Sequence, residues 1–200
     1  MLFDLFSSFE QLLIVVVALL SAITIHEFAH AWVADRLGDP TPKLMGRVTL
    51  NPLAHLDPIG TIALLLIGFG WGKPVQFDPY NLENPRRDSA LVALAGPASN
   101  VVLIALLTLL YRIFDLPILI PFIGYNVVLA LFNLIPIHPL DGFKIVGGIL
   151  PEDQSEDWYR LERYGMYLLL IILLPIFNGQ SLVSQILGPL LDIITTLLLG

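Results

Sequence analysis

Apolar residues in this chain gather into long runs divided by short polar loops. The first run covers about residues 12–33 and is apolar apart from Ser21, Thr24, His26, Glu27 and His30. A stretch rich in Gly, Pro and Asn follows at 35–58, with a possible short strand at 47–50. A brief apolar run at 59–71 and a polar loop at 72–88 lead to two further runs, about 89–111 and 117–139. Residues 152–163 are the most charged segment and read as a surface helix. Two last apolar runs, 164–177 and 182–199, are joined at Asn178-Gly179-Gln180. Runs near 20 residues are long enough to cross the hydrocarbon core of a bilayer as helices. The pattern predicts an all-α polytopic membrane protein of about five transmembrane helices, one short re-entrant or interfacial segment, and minor β-strands in loops. It reads as one integral-membrane domain, with a core over about 10–145 and a C-terminal helical pair over about 164–199.

The composition agrees. Of 200 residues 56% are hydrophobic and only 14% charged, against about 25% charged in soluble domains. The lipid bilayer is therefore an expected partner. With no cysteine, any bound metal must rest on imidazole and carboxylate. A net charge of −7 argues against nucleic acid, whose phosphates need clustered Lys and Arg. The N-terminal residues lack the basic region of a signal peptide, so the first run is expected to be retained.

Run 59–71 would reach only about 20 Å as a helix, short of a core of roughly 30 Å. If it does not cross, Arg36, Lys43, Arg47, Lys73, Arg86, Arg87, Lys144, Arg160 and Arg163 share one side and Arg112 alone lies opposite. If it crosses, the ten basic residues split four against six. Basic residues concentrate on the cytoplasmic side, which favours the non-crossing reading. Arg86 and Arg87 then read as headgroup anchors, and Trp32, Trp71 and Trp158 as interfacial residues.

His26-Glu27-Phe28-Ala29-His30 matches H-E-x-x-H. On a helix, positions i and i+4 share a face, so two imidazoles can bind one zinc ion. Glu27 is placed to take a proton from the attacking water. Two His and a Glu inside an apolar span are costly, and ionisable groups there are functional by default. A catalytic zinc needs a third protein ligand and an open position. Asp141 follows an apolar run directly, in Pro139-Leu140-Asp141-Gly142, and a site of two His and one carboxylate results. For Asp141 to meet the histidines the two spans must run parallel, which again requires that 59–71 not cross. The zinc, one per chain, then lies in the cytoplasmic half, about 10 Å inside the helix end.

The pairing of HEFAH with NLIPIHPLDG closely resembles the site-2 protease family of intramembrane zinc metalloproteases, whose second motif is N-x-x-P-x-x-x-x-D-G. Asn133, Pro136, Asp141 and Gly142 fit its spacing. GRVTLNPLAHLDPIG, GWGKPV and AGPASN resemble the small branch without a PDZ domain, although PVQFDPYN departs from its PVPVNP-like loop. The resemblance covers most of residues 20–145. It implies His26, His30 and Asp141 as zinc ligands, Glu27 as the catalytic carboxylate, and a transmembrane protein as substrate, cut in or beside its membrane segment.

Asn133 and Asn100 are candidate oxyanion donors; for Asn100 a helix–helix hydrogen bond is an equal alternative. His55 could bind substrate, support the site, or make a structural hydrogen bond, and His138 is a weaker candidate. A serine protease is excluded because no Ser precedes Gly, and an aspartyl type because Asp141 has only the distant Asp192. The alternatives from other classes are an intramembrane metal transporter, which would need polar residues along the last two runs, and an inactive scaffold, which would not need Glu27.

Overall fold

The structure, a computed structural model, describes residues 8–60, 72–175 and 179–200. Helix α1 spans Phe9–Arg36, α2 Thr41–Leu44, α3 Pro85–Phe114, α4 Leu119–Asn133, α5 Asp141–Ile149, α6 Glu152–Tyr159, α7 Glu162–Leu173 and α8 Leu182–Leu199. Single 3-10 turns occupy Pro52–Ala54 and Pro79–Asn81. The ends follow local chemistry. The Ser8 side chain accepts the Gln11 N–H at the start of α1, Pro85 opens α3 where no N–H is needed, and Asp115 closes it in the left-handed region.

Three helices are long and apolar enough to cross a membrane: Phe9–Arg36, Pro85–Phe114 and Leu182–Leu199. The run expected at 117–139 is helical only over the 15 residues of α4, about 22 Å, and the chain is then irregular from 134 to 140. The charged segment 152–163 forms α6 and the start of α7 rather than one helix. The re-entrant segment expected at 59–71 lies almost wholly outside the described residues.

The bundle packs through small residues. Ala18, Ala22, His26, His30 and Ala34 recur every fourth position on α1 and are all buried. This narrow face lets α3 approach closely, as alanine seams do between apolar helices. Rising from Ala22 and His26 to His30 on α1 descends from Asn100 to Val92 on α3, so these two helices are antiparallel. Helix α4 packs against both. Ile104, Ile123 and Val127 form a buried cluster between α3 and α4, closed by Leu191, Ile194 and Leu198 of α8. Outward-facing Val101, Val102, Leu106, Leu109 and Ile113 leave α3 with an exposed apolar side, suited to lipid rather than water. Arg112, the one basic residue expected opposite the others, donates to the carbonyls of Leu197 (2.7 Å) and Leu198 (3.1 Å) and so caps the end of α8.

The expected strand is also absent. Residues 47–50 form no strand: the Thr49 N–H turns back to the Arg47 carbonyl, which removes it from any ladder. The β pairing seen among the described residues includes a single antiparallel bridge, Leu56 with Gly72. Trp158 donates its indole N–H to the Phe143 carbonyl at 2.8 Å and stacks its ring on Phe143.

The polar loops are tied together by Asp39, which is fully buried. Its carboxylate accepts the Thr41 N–H and hydroxyl, the Asp78 N–H and the Asn81 amide, joining the loop after α1 to the loop before α3. Burial alone would raise its pKa, but these hydrogen bonds, led by that from Thr41, outweigh it and hold the carboxyl below its ordinary value. Because the folded pKa is depressed, the stabilisation is complete above about pH 4 and is lost as pH falls through the folded value. Asp39→Asn should lower unfolding stability in detergent by about 1–3 kcal/mol at pH 7 and flatten the acid limb of stability against pH, both read from thermal melts.

Candidate metal centre

His26 and His30 lie one helical turn apart on the buried face of α1, ring centroids 4.6 Å apart. Asp141 arrives from elsewhere as the first residue of α5, where the helix N-terminus favours negative charge. Its Oδ2 lies 3.1 Å from His26 Nε2 and 3.3 Å from His30 Nε2, and the three side chains form one potential metal-holding group. Gly142 makes this position reachable by clearance: a Cβ there would stand 2.3 Å from the Leu134 carbonyl oxygen and 2.6 Å from that of Ile135. The chain from 134 to 140 folds that closely over the start of α5.

The far side of each imidazole is fixed by α3. His26 Nδ1 lies 2.6 Å from Asn100 Oδ1 and His30 Nδ1 lies 2.7 Å from the Val92 carbonyl. Main-chain carbonyls can only accept, so His30 carries its proton on Nδ1. For His26 the same result follows through a relay. The Asn126 amide donates to the Phe122 carbonyl at 2.8 Å, and that of Asn100 donates to Asn126 Oδ1 at 2.7 Å and the Ala22 carbonyl at 3.3 Å. Asn100 Oδ1 is thereby turned toward His26 as an acceptor. In the neutral rings both Nε2 lone pairs then face Asp141. Its Oδ2 is buried and receives no well-directed hydrogen bond despite its two close neighbours.

This donor set fits zinc. Ligand atoms about 2.0–2.2 Å from a tetrahedral zinc stand about 3.3–3.6 Å apart, close to the spacings seen. Lone pairs and a carboxylate that converge without hydrogen bonds are what a cation would hold, and Nδ1–H bonds to carbonyl oxygens are the usual outer support of metal-binding histidines.

Gly96 explains how two rings fit against α3. A Cβ there would lie 2.3 Å from His30 Nε2 and 2.7 Å from His26 Cε1. Glu27 borders the same cleft, and its Oε2 accepts the Val75 N–H at 2.9 Å. Pro74, Val75 and Phe77 cover one edge of a cleft whose walls include His26, Glu27, His30 and Asp141, with Asn133 and Lys144 beside them. Lys144 lies over the Phe77 ring, 4.5 Å from its centroid.

Asn133 lines the cleft, with its amide donating to Leu129 of its own helix at 3.0 Å. Asn100 is no oxyanion donor: it is fully buried and its amide hydrogens are taken by Ala22 and Asn126. His55 does not line the cleft. It too is fully buried, with Nε2 2.8 Å from the Thr49 carbonyl. His138 sits apart, 3.6 Å from Glu162. Gly96, Asn126, Val75 and Lys144 are not among the site residues expected from the sequence. Asn126 had a signal, an amide in an otherwise apolar run; the other three have only tertiary reasons.

Asn100→Ala should weaken zinc binding by about 10–100-fold and Gly96→Ala by at least as much, with the helical fold retained. Competition with a zinc chelator, read beside circular dichroism, checks both.

Known proteins similar to this chain are named as zinc metalloproteases. The Bacillus subtilis (strain 168) protein named "Putative zinc metalloprotease YwhC" is 37% identical over 191 residues, covering 88% of this chain and 85% of the relative. Rip2 of Mycolicibacterium smegmatis, named in the same way, is 32% identical over 81% of this chain and 67% of its own length. Zinc metalloprotease MJ0392 of Methanocaldococcus jannaschii is 25% identical over 67% of this chain but only 33% of its own length. No family model matches the chain, and neither does any solved structure. Sharing most of its length with such relatives, and carrying a donor set suited to their metal, the chain belongs to this family of zinc metalloproteases.

Proposed function

We propose that the protein is an intramembrane zinc metalloprotease of the site-2 type, hydrolysing peptide bonds in or next to transmembrane segments of membrane proteins. The observation that carries this is the meeting of His26, His30 and Asp141 beside Glu27 on a helix apolar enough to cross a membrane. The protein is multi-pass in the cell membrane. The three long helices and the shorter apolar α4 make four spans rather than five. Helix α8 ends beside Arg112, on the side opposite the site, which leaves no crossing for α7, and the site faces the cytoplasmic half.

Zinc held by His26 Nε2, His30 Nε2 and Asp141 would supply Lewis acidity toward the scissile carbonyl and the attacking water. Glu27 takes the proton of that water and delivers it to the departing amine. Its second carboxylate oxygen stays anchored on the Val75 N–H, which limits the rotamers it can visit. Asn133 lines the cleft and donates one amide hydrogen to Leu129; its second would donate to the oxygen that gains charge. The Nδ1–H bonds to Asn100 and Val92 keep both imidazoles in the tautomer the metal needs. A helical substrate has its carbonyls internally bonded, so its cut site must be unwound before it enters.

Purified protein in lipid should bind about one zinc and cleave a model transmembrane substrate, and a chelator should stop it. Glu27→Gln should keep the metal yet lose at least about 100-fold in rate; unchanged cleavage would refute the mechanism. For topology, the cysteine of Lys73→Cys, the chain having no other, should react with an impermeant reagent from the cytoplasmic face only. Labelling from the opposite face would reverse the orientation.

A further inference from the structure

The segment GRVTLNPLAH lies outside the cleft, and nothing in the chemistry above uses it. It nevertheless ends on Glu27 through a continuous series of contacts. Arg47 is only 3% exposed, and its guanidinium donates to two main-chain carbonyls, those of Ala54 and Lys73. The Lys73 N–H donates in turn to the His55 carbonyl at 2.8 Å. Both backbone groups of Lys73 are therefore held by the 47–55 loop, and the Leu56–Gly72 bridge extends this pairing by one residue. His55, fully buried, braces the loop from inside through Nε2 and the Thr49 carbonyl.

The segment so held presses on α1. A Cβ at Gly72 would stand 2.9 Å from Ile23 Cγ2 and 3.1 Å from the His55 carbonyl oxygen, so the backbone runs in the narrow space between them. Ile23 and Glu27 are one turn apart on the same face of α1. Three residues beyond Gly72, the Val75 N–H meets Glu27 Oε2 at 2.9 Å.

We propose that Arg47, braced by His55, is a positioning residue for Glu27: it fixes the 72–75 backbone along α1 so that the Val75 N–H holds the carboxylate in place. This rests on Glu27 acting as the proposed proton carrier. A buried guanidinium is costly unless its hydrogen bonds and charge are used. Carbonyls take bonds from both Nη atoms of Arg47, although its Nε has no partner, and the Glu27 carboxylate offsets part of the burial that holds the guanidinium below its ordinary pKa. A loss of position near 1 Å can cost about 100-fold in rate without touching binding.

Two arms test this. In the cleavage assay, Arg47→Ala should lower kcat by about 10–100-fold with KM within about twofold and zinc content unchanged, and Arg47→Lys should recover part of the loss. If Arg47 works through Glu27, adding Arg47→Ala to the weakened Glu27→Asp background should cost far less than it does alone. Additive losses, an unchanged kcat in Arg47→Ala, or Arg47→Lys no better than alanine would overturn the proposal. The second arm reads the segment without catalysis. A nitroxide on the cysteine of Gln76→Cys, an exposed position, should be restrained in the parent and mobilised by Arg47→Ala but not by Arg163→Ala, whose side chain lies over Tyr164. Identical spectra in all three would equally overturn it. A parent that cleaves no substrate counts against the proposed function alone, because the spectra still decide whether Arg47 holds the segment. If Arg47→Ala fails to fold, Arg47→Lys must show intermediate kcat and intermediate label mobility; parent values in both would overturn the proposal.

Discussion

Two imidazole lone pairs and a carboxylate converge inside an apolar bundle, and only a cation, metal or proton, can hold such a group together. Much of the surrounding architecture serves that convergence. Val92 and Asn100 hold the imidazole Nδ1 atoms, and Asn126 orients Asn100 from the next helix. Gly96 leaves room for the rings, and Gly142 lets the chain bring Asp141 under them. Each feature is cheap alone, but all are needed, because a buried carboxylate without compensation would sooner take up a proton than stay charged.

A second constraint comes from the backbone. Within a membrane-spanning helix the N–H and C=O groups are consumed by the helix itself, so a helical site is rich in side chains and poor in free amides. The irregular segments supply what α1 cannot. Residues 72–77 bring the Val75 N–H to Glu27 and the Phe77 ring to Lys144, and the loop 47–55 fixes where they lie. Asp39 closes the same loop system at its other end by joining residues 41, 78 and 81. The polar loops are therefore part of the site, not connectors beside it.

Some of this was legible in the chain alone and some was not. The H-E-x-x-H spacing is a local property of one helix, so His26, Glu27 and His30 needed no tertiary knowledge, and Asp141 followed because only imidazole and carboxylate were available to a third position. The long apolar helices were equally plain from run length, since the bilayer imposes it. What the sequence could not decide is which polar residues meet. Asn100 and His26 are 74 residues apart and His30 and Val92 are 62 apart, so the same amide that reads as an oxyanion donor proves to be an imidazole support. His55 was ambiguous for the same reason, and Arg47 looked like a topology marker until its guanidinium was seen bound to two carbonyls. Residue type and helical period determine which chemistry a chain can offer; packing alone decides which hydrogen bonds each polar atom spends and which it leaves free for the reaction.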